Sequence, residues 1–436
     1  MKDHQSRSIP SGRVSRMAHM GGLVTRVASG MLAEGARQIA SGNRPVARDL
    51  LLTPANVRRV AEKLSHLRGA AMKLGQLLSM DAGDLMPPEL AELLATLRSG
   101  ATSMPMLQLA KVLEDNLGEE WQDQFQQFSF TPLAAASIGQ VHQAVDLQGQ
   151  ALAIKIQYPG VATSIDSDVD NVITLLKISR LLPEGVIADE LVEEAKQQLH
   201  AEADYVLEAQ HLQEYGQLLS DDARFRVPLH YPELSSRHIL AMSFESGVPV
   251  ETLLEFPIAE RNRCAELLLA LLFRELFEFG RVQTDPNFAN FLYDTDTAQL
   301  VLLDFGATRL YRADLVEAYR QLFIAGFHQD SEGLLQAATQ IGYFNKEITK
   351  SQQQAVLHLF DLAMEPLRAD CYDFGATDLA RRLRDQGMQL SMQEGYWHSP
   401  PVDALFLHRK LAGLYLLFAR LKVSLDCRDI LKPWLT

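Results

Sequence analysis

Four short segments of this chain place side chains where they could do phosphate chemistry. Ala151-Leu152-Ala153-Ile154-Lys155 ends an apolar run on a lysine. An ammonium in such a run needs a carboxylate or a phosphate beside it, because burying it alone is costly. Ala134-Ala135-Ala136-Ser137-Ile138-Gly139-Gln140-Val141 is a small-residue stretch whose backbone N–H groups could approach an anion closely. In Thr284-Asp285-Pro286-Asn287-Phe288-Ala289-Asn290 a carboxylate and a carboxamide stand five residues apart. The first could orient or deprotonate a nucleophile, and the second could give an oxygen to a hard cation. Asp304, in Leu303-Asp304-Phe305-Gly306, adds a second hard oxygen donor fourteen residues after Asn290. Taken singly, each has an ordinary explanation: a turn, a strand-end lysine reaching solvent, an Asp-Pro turn, a chance tripeptide. In this order and at these spacings they point to binding of a nucleotide.

The elements that must position them read as follows. Phe128–Phe130, Gly139–Val145 and Ala151–Gln157 have strand character, with Gly149 where a hairpin needs it. Asp189–Leu219 reads as one long charged helix, which should supply a glutamate to Lys155. Arg226–Pro228 and His238–Phe244 read as further strands. Met242–Glu245 closes the last of these strands. Glu260–Gly280 reads as an apolar helix, Phe291–Tyr293 with Leu300–Leu303 as a hairpin, and the chain beyond Arg312 as helical. Helices, then a small β-rich part, then a helical part make an α+β chain. The expected division is a helical extension over 1–120, an N-lobe over 121–245 and a helical C-lobe over 246–436.

Composition narrows the function. The chain has 436 residues, 47% hydrophobic and 22% charged, ordinary for a globular protein. Its net charge of −14 argues against a general nucleic-acid binder. Three widely spaced cysteines suggest a reducing compartment, and the histidines show no metal-ligand spacing. The apolar stretches are interrupted by charge before they reach membrane-spanning length, and no signal peptide is read. Residues 1–70 nevertheless hold twelve Lys/Arg against four Asp/Glu, so the remainder carries −22. Val14–Ala40 is both basic and apolar. It reads either as an amphipathic helix meeting an anionic membrane or as a helix docked on the protein body. The location expected is cytoplasmic or peripheral to an inner membrane.

The four segments are similar to the protein-kinase pattern. Ala134 and Ala136 stand where the first two glycines of the phosphate loop would be, and Leu152–Lys155 matches the V-A-I-K strand. Asp285 and Asn290 match the catalytic loop, and Asp304 matches the D-F-G aspartate. Lys73-Leu74-Gly75-Gln76 adds a KxGQ motif, and Glu202-Ala203-Asp204 adds an ExD motif. With Ala134–Ser137, Lys155–Val161 and Thr284–Asn290 these make the chain resemble the UbiB family of atypical kinase-like proteins. Its coenzyme Q biosynthesis members are the nearest in pattern, and the resemblance runs from about Arg13 to beyond Arg409.

The resemblance implies a bilobal protein-kinase-like fold with a helical N-terminal extension, binding ATP or ADP and Mg²⁺. Lys155 would contact phosphate and pair with Glu208; Asn290 and Asp304 would hold the metal; Asp285 would serve as the catalytic-loop carboxylate. Ala134, Ala135, Ala136, Ser137, Met242 and Glu245 would line the nucleotide. The extension would bring Lys73 and Gln76 near Glu202 and Asp204, over the cleft. Helical spacing sets Asp204 and Glu208 on one face and Glu202 roughly 200° from Asp204. Family members are described as ATPases that act with lipid-bound quinone intermediates and ubiquinone-biosynthesis proteins. Val282-Gln283-Thr284 stands where kinases have H-R, and no A-P-E follows Asp304. Both argue against ordinary protein phosphorylation. A lipid or small-molecule kinase, and a nucleotide-gated scaffold that presents lipids without turnover, are the competing readings.

Overall fold

The computed structural model describes residues 104–136, 138–179, 189–285, 287–344, 348–392 and 400–435. The extension with Lys73 and Gln76, the Val14–Ala40 segment and Ser137 lie outside these residues. The chain falls into two compact units. The first takes the chain up to Ala209 together with His230–Phe244, and the second takes Gln210–Leu229 and Glu245 onward.

The first unit is built on an antiparallel sheet of β1 (Phe125–Phe128), β2 (Ala134–Ala135), β3 (Gly139–Asp146), β4 (Ala151–Gln157) and β6 (Ile239–Ser243). β3 pairs with β1, β2 and β4, and β4 pairs in turn with β6. The β3–β4 hairpin turns at Gly149, whose φ of +83° is open to glycine at little cost. Strand side chains alternate between faces. Leu152, Ile154 and Ile156 of β4 join Ile239 and Ala241 in a core with Leu109, Val112 and Leu113 of α1 (Met106–Leu117). Trp121 closes this core in edge contact with Phe125, Phe128 and Phe130. The alternation leaves Ala153, Lys155 and Gln157 on the other face. α2 (Val161–Ser179) and α3 (Asp189–Glu202) belong to the same unit, joined by Lys196–Asp170 (2.8 Å) and His200–Asp166 (3.0 Å) pairs.

Two sequence expectations change, and one helix is new. Residues 189–219 are two helices, α3 and α4 (Tyr205–Leu218), not one. Asp204 breaks them: its Oδ1 accepts from the backbone N–H groups of Val206 and Leu207, both at 3.1 Å, as an N-cap does. Gln157 Nε2 donates to the freed Ala203 carbonyl at 2.9 Å. The helical angle expected between Glu202 and Asp204 therefore does not apply, whereas the Glu208 N–H donates to the Asp204 carbonyl at 3.0 Å, one helical turn back. Second, the first strand is Phe125–Phe128, not Phe128–Phe130, because Trp121 gathers Phe125 and Phe128 into the core while Phe130 stays exposed. The new helix, α2, is not evident from the residue pattern. Its run of Thr, Ser, Asp and Asn favours turns and caps, and burial of Ile165, Val169, Val172 and Ile173 on one stripe overrides that preference.

The second unit holds a four-stranded sheet in the order β5-β10-β9-β7. β5 (Phe225–Arg226) runs parallel to β10 (Gln299–Leu302); β9 (Phe291–Asp294) is antiparallel to β10 and to β7 (Val248–Pro249). β8 (Arg281–Gln283) pairs with β11 (Thr308–Leu310). α5 (Ile258–Arg274) buries Leu267, Leu268, Leu269, Leu271, Leu272 and Phe273, and passes into a π turn over Glu275–Phe279. α6 (Ala313–His328), α7 (Ser331–Ile341), α8 (Lys350–Ala363), α9 (Leu379–Met392) and α10 (Val402–Leu421) follow. Among the described residues no helix is long and apolar enough to cross a membrane.

Candidate functional site

In the first unit the small-residue segment folds back on β3. Ala134 lies opposite Val141 and Ala135 opposite Gln140. The Ala136 N–H donates to the Gly139 carbonyl at 2.9 Å, so that N–H is already engaged within the turn. Gly139 has no room for a side chain: a Cβ there would stand 2.4 Å from the Ile156 carbonyl oxygen and 2.8 Å from the Tyr205 hydroxyl. Beneath the turn a buried string fixes β3. Gln140 Oε1 accepts from the Met104 N–H at 3.0 Å, Gln140 Nε2 meets His142 Nε2 at 2.8 Å, and His142 Nδ1 meets the Ser129 carbonyl at 2.7 Å. A carbonyl can only accept, so Nδ1 carries the proton and Nε2 accepts from the Gln140 amide. Burial holds the His142 pKa below its ordinary value, which suits this neutral ring.

Lys155 rises from β4 on the face opposite the Ile154 core. Its Nζ donates to both carboxylate oxygens of Glu208 on α4, at 2.7 and 2.8 Å, and stands 5.2 Å over the Tyr205 ring. The two side chains are 9% and 1% exposed. Met242 is buried on β6, paired with Ala153. Glu202 is half-buried, and Asp204 is the exposed cap of α4.

The second unit gathers Asp285, Asn290 and Asp304. In the β9–β10 hairpin Phe291 faces Leu302, and the Leu303 N–H donates to the Asn290 carbonyl at 2.9 Å. Asp304 therefore follows directly from a residue bonded to Asn290. The Asp304 carboxylate accepts from the Gly306 N–H at 3.0 Å, which turns the chain. Phe305 is buried with its ring 5.0 Å from that of Tyr215. Asn290 Nδ2 donates to Asp285 Oδ2 at 3.3 Å, leaving the Asn290 amide oxygen for another partner. Asp285 Oδ1 accepts from the Asn287 N–H at 3.2 Å and lies 4.0 Å from Arg409 Nη2. Thr284 donates through both N–H and hydroxyl to the Ala307 carbonyl, tying this loop to the segment after Asp304. Glu245 pairs with Arg226 at 3.2 Å, and Arg226 also holds Asp294 at 2.7 Å.

Several side chains around Asp285 are not evident from the motifs. Glu275, on the π turn, is 1% exposed and accepts from the Tyr215 hydroxyl at 2.7 Å and the Gln283 N–H at 3.2 Å. Burial pushes its pKa up, while Lys410 and these donors oppose the rise. Arg409 and Lys410, on α10, are both buried charges. The one signal for them in the sequence is a pair of adjacent cations in a mostly apolar helix.

The chemistry on offer is thus a buried ammonium–carboxylate pair in one unit and a carboxylate–amide–carboxylate group with hard oxygen donors in the other. Comparison with known proteins fits this arrangement. The model of the ABC1 atypical kinase-like domain matches residues 96–338. The atypical kinase COQ8B, mitochondrial, of Rattus norvegicus is 40% identical over 98% of this chain and 81% of its own length. The atypical kinase COQ8, mitochondrial, of Saccharomyces cerevisiae is 37% identical over 98% of this chain and 86% of its own. Among solved structures, Rv3197 of Mycobacterium tuberculosis, in complex with erythromycin, is similar with a TM-score of 0.61 and 23% identity, covering 84% of this chain and 92% of that one. The chain has a mixed α/β kinase-like fold and belongs to the ABC1, or UbiB, family of atypical kinases, among its COQ8-like members.

Proposed function

We propose that this protein binds ATP with Mg²⁺ and hydrolyses it in support of ubiquinone biosynthesis, acting on or presenting lipid-bound quinone intermediates. The observation that carries the reading is the buried Lys155–Glu208 pair. A salt bridge this deep adds little net stability over apolar packing, so stability alone gives no reason for it. A phosphate-binding lysine held extended by a carboxylate accounts for it.

The residues fit the cofactors. Asn290 offers an amide oxygen and Asp304 a carboxylate, the hard donors Mg²⁺ takes, and it commonly binds through only one or two protein oxygens. There the two side chains would hold Mg²⁺, whose charge would offset that of the nucleotide phosphates. Lys155 would hold phosphate oxygens, with Ala134, Ala135, Ala136 and Ser137 beside them and Met242 and Glu245 near the base. Asp285, oriented by Asn290 and the Asn287 N–H, would align the attacking hydroxyl of water or of a small acceptor and take its proton. Lys73, Gln76, Glu202 and Asp204 would regulate access from the extension. The division at residues 120 and 245 into extension, N-lobe and C-lobe belongs to this proposal. So does contact with an anionic membrane and with biosynthetic partner proteins. The two relatives are named as mitochondrial, and a peripheral position at an inner membrane is compatible with them.

One observation favours the scaffold reading as the second choice. The Ala136 N–H is committed to Gly139, which leaves the turn one donor fewer for phosphate. The deciding test is Mg²⁺-dependent phosphate release, with and without liposomes carrying prenylated quinone intermediates, for the wild type and Asp304→Asn. Release stimulated by the lipids and abolished by the substitution is expected. No release from the wild type, with nucleotide binding intact, would refute the ATPase and leave the scaffold.

A further inference from the structure

The Asp285 loop has no cation of its own: none of the residues from Val282 to Asn290 is basic. The buried Lys410 ammonium reaches it from α10. Lys410 is 2% exposed, and its Nζ donates to Gln283 Oε1 at 3.1 Å and stands 4.8 Å over the Phe291 ring. Gln283 lies two residues before Asp285 and Phe291 directly follows Asn290, so one ammonium contacts both ends of the loop. Burial lowers the Lys410 pKa, while Glu275 and Asp285 both favour its charged form.

The plain structural role would be to neutralise Glu275. The hydrogen bonds do not follow that role. Lys410 donates to the Gln283 amide, whereas Glu275 Oε2 has no hydrogen-bond partner among the described residues. Glu275 itself is bound to the Gln283 N–H, so Gln283 is gripped at its backbone by Glu275 and at its side chain by Lys410. The hydrogen bond of this buried ammonium goes to the loop's Gln283 and not to Glu275, so the charge holds the loop.

Resting on the reading above of Asp285 as the residue that aligns the attacking group, we propose that Lys410 is the positioning cation of the Asp285 loop. It clamps Gln283 and Phe291 and so fixes the backbone on which Asp285 and Asn290 are displayed. It touches neither nucleotide nor acceptor. Its loss therefore lowers turnover while leaving nucleotide affinity in place.

The experiment compares the full chain with Lys410→Met and with the double variant Glu275→Gln/Lys410→Met. The readouts are kcat and KM for Mg²⁺–ATP, melting temperature without nucleotide, and hydrogen exchange of the amides from Gln283 to Phe291. Lys410→Met should lower kcat about 10- to 100-fold, the scale of an ångström-size misplacement, with KM within about 2-fold. The double variant, having no buried carboxylate to neutralise, should regain melting temperature but neither kcat nor exchange protection in the loop. Recovery of kcat and protection in the double variant would overturn the proposal in favour of the structural role. Unchanged loop protection in both variants overturns it whether or not ATP is hydrolysed. A wild type that releases no phosphate defeats the ATPase reading alone, and the exchange result still decides the role of Lys410.

Discussion

Replacing Glu208 with Gln should destabilise the first unit far more than an exposed ion pair could. The Lys155 ammonium meets both carboxylate oxygens at 2.7 and 2.8 Å, with the two side chains 9% and 1% exposed. At 2.7 Å and an effective dielectric of about 20, the attraction is about 6 kcal/mol. Desolvation of both charges takes back much of that, which is why a buried pair adds little overall. Removing one partner leaves the desolvation of the other uncompensated, at about 3–5 kcal/mol, against 0–1 kcal/mol for an exposed pair. With a urea dependence of about 2 kcal/mol per molar, the unfolding midpoint should fall by about 1.5–2.5 M. Trp121 is 3% exposed and surrounded by the aromatic rings of this unit, so its fluorescence reports the transition once Trp397 and Trp434 are replaced by Phe. The double variant Lys155→Met/Glu208→Leu should recover most of the midpoint, because two apolar groups replace two charges, yet it should not bind nucleotide. Equal midpoints for wild type and Glu208→Gln, or a double variant no more stable than the single, would refute the reasoning.

Further outcomes are expected. Gly139→Ala should destabilise the unit and broaden its unfolding, since the new Cβ would press on the Ile156 carbonyl with no flexible neighbour to yield; a midpoint within error of wild type counts against this. Ala136→Gly should alter the balance of ADP and ATP affinities without unfolding the protein, measurable by calorimetry, and unchanged affinities for both would remove the turn from selectivity. Burial holds the His408 pKa at about 4, below the ordinary 6.5, with Tyr319 and Tyr343 hydroxyls on its ring nitrogens. Between those values the unfolded chain binds the proton and the folded one does not, so stability falls as pH drops from 6.5 towards 4, by about 3 kcal/mol from this residue. His408→Gln should flatten that part of a stability-versus-pH curve, and an unchanged slope would assign it to other histidines. Anionic liposomes should bind the protein and raise its ATPase rate, and high salt should reverse both. Equal rates with neutral and anionic vesicles, and no co-sedimentation, would favour a helix docked on the protein.

What could be read from the sequence follows the range of the interactions that set each feature. The β3–β4 and β9–β10 hairpins are legible nearly to the residue, because strand alternation and turn residues such as Gly149 act over a few positions. The break between α3 and α4 is also local. Ala203-Asp204 carries the cap chemistry, but helical periodicity on both sides hides it until the Asp204 side chain is seen on the Val206 and Leu207 N–H groups. Lys155, Asp285, Asn290 and Asp304 could be singled out as candidates because four short segments, each ordinary alone, stand in one order and spacing that together constrain the chemistry. The groups around them could not. Lys410 meets Gln283 across 127 positions and Tyr215 meets Glu275 across 60, and no local pattern links such pairs. A lysine inside an apolar helix is a local conflict in the pattern, and such conflicts are expected at functional sites. In the folded chain Arg409 and Lys410 both find partners outside α10, in the loop of Asp285.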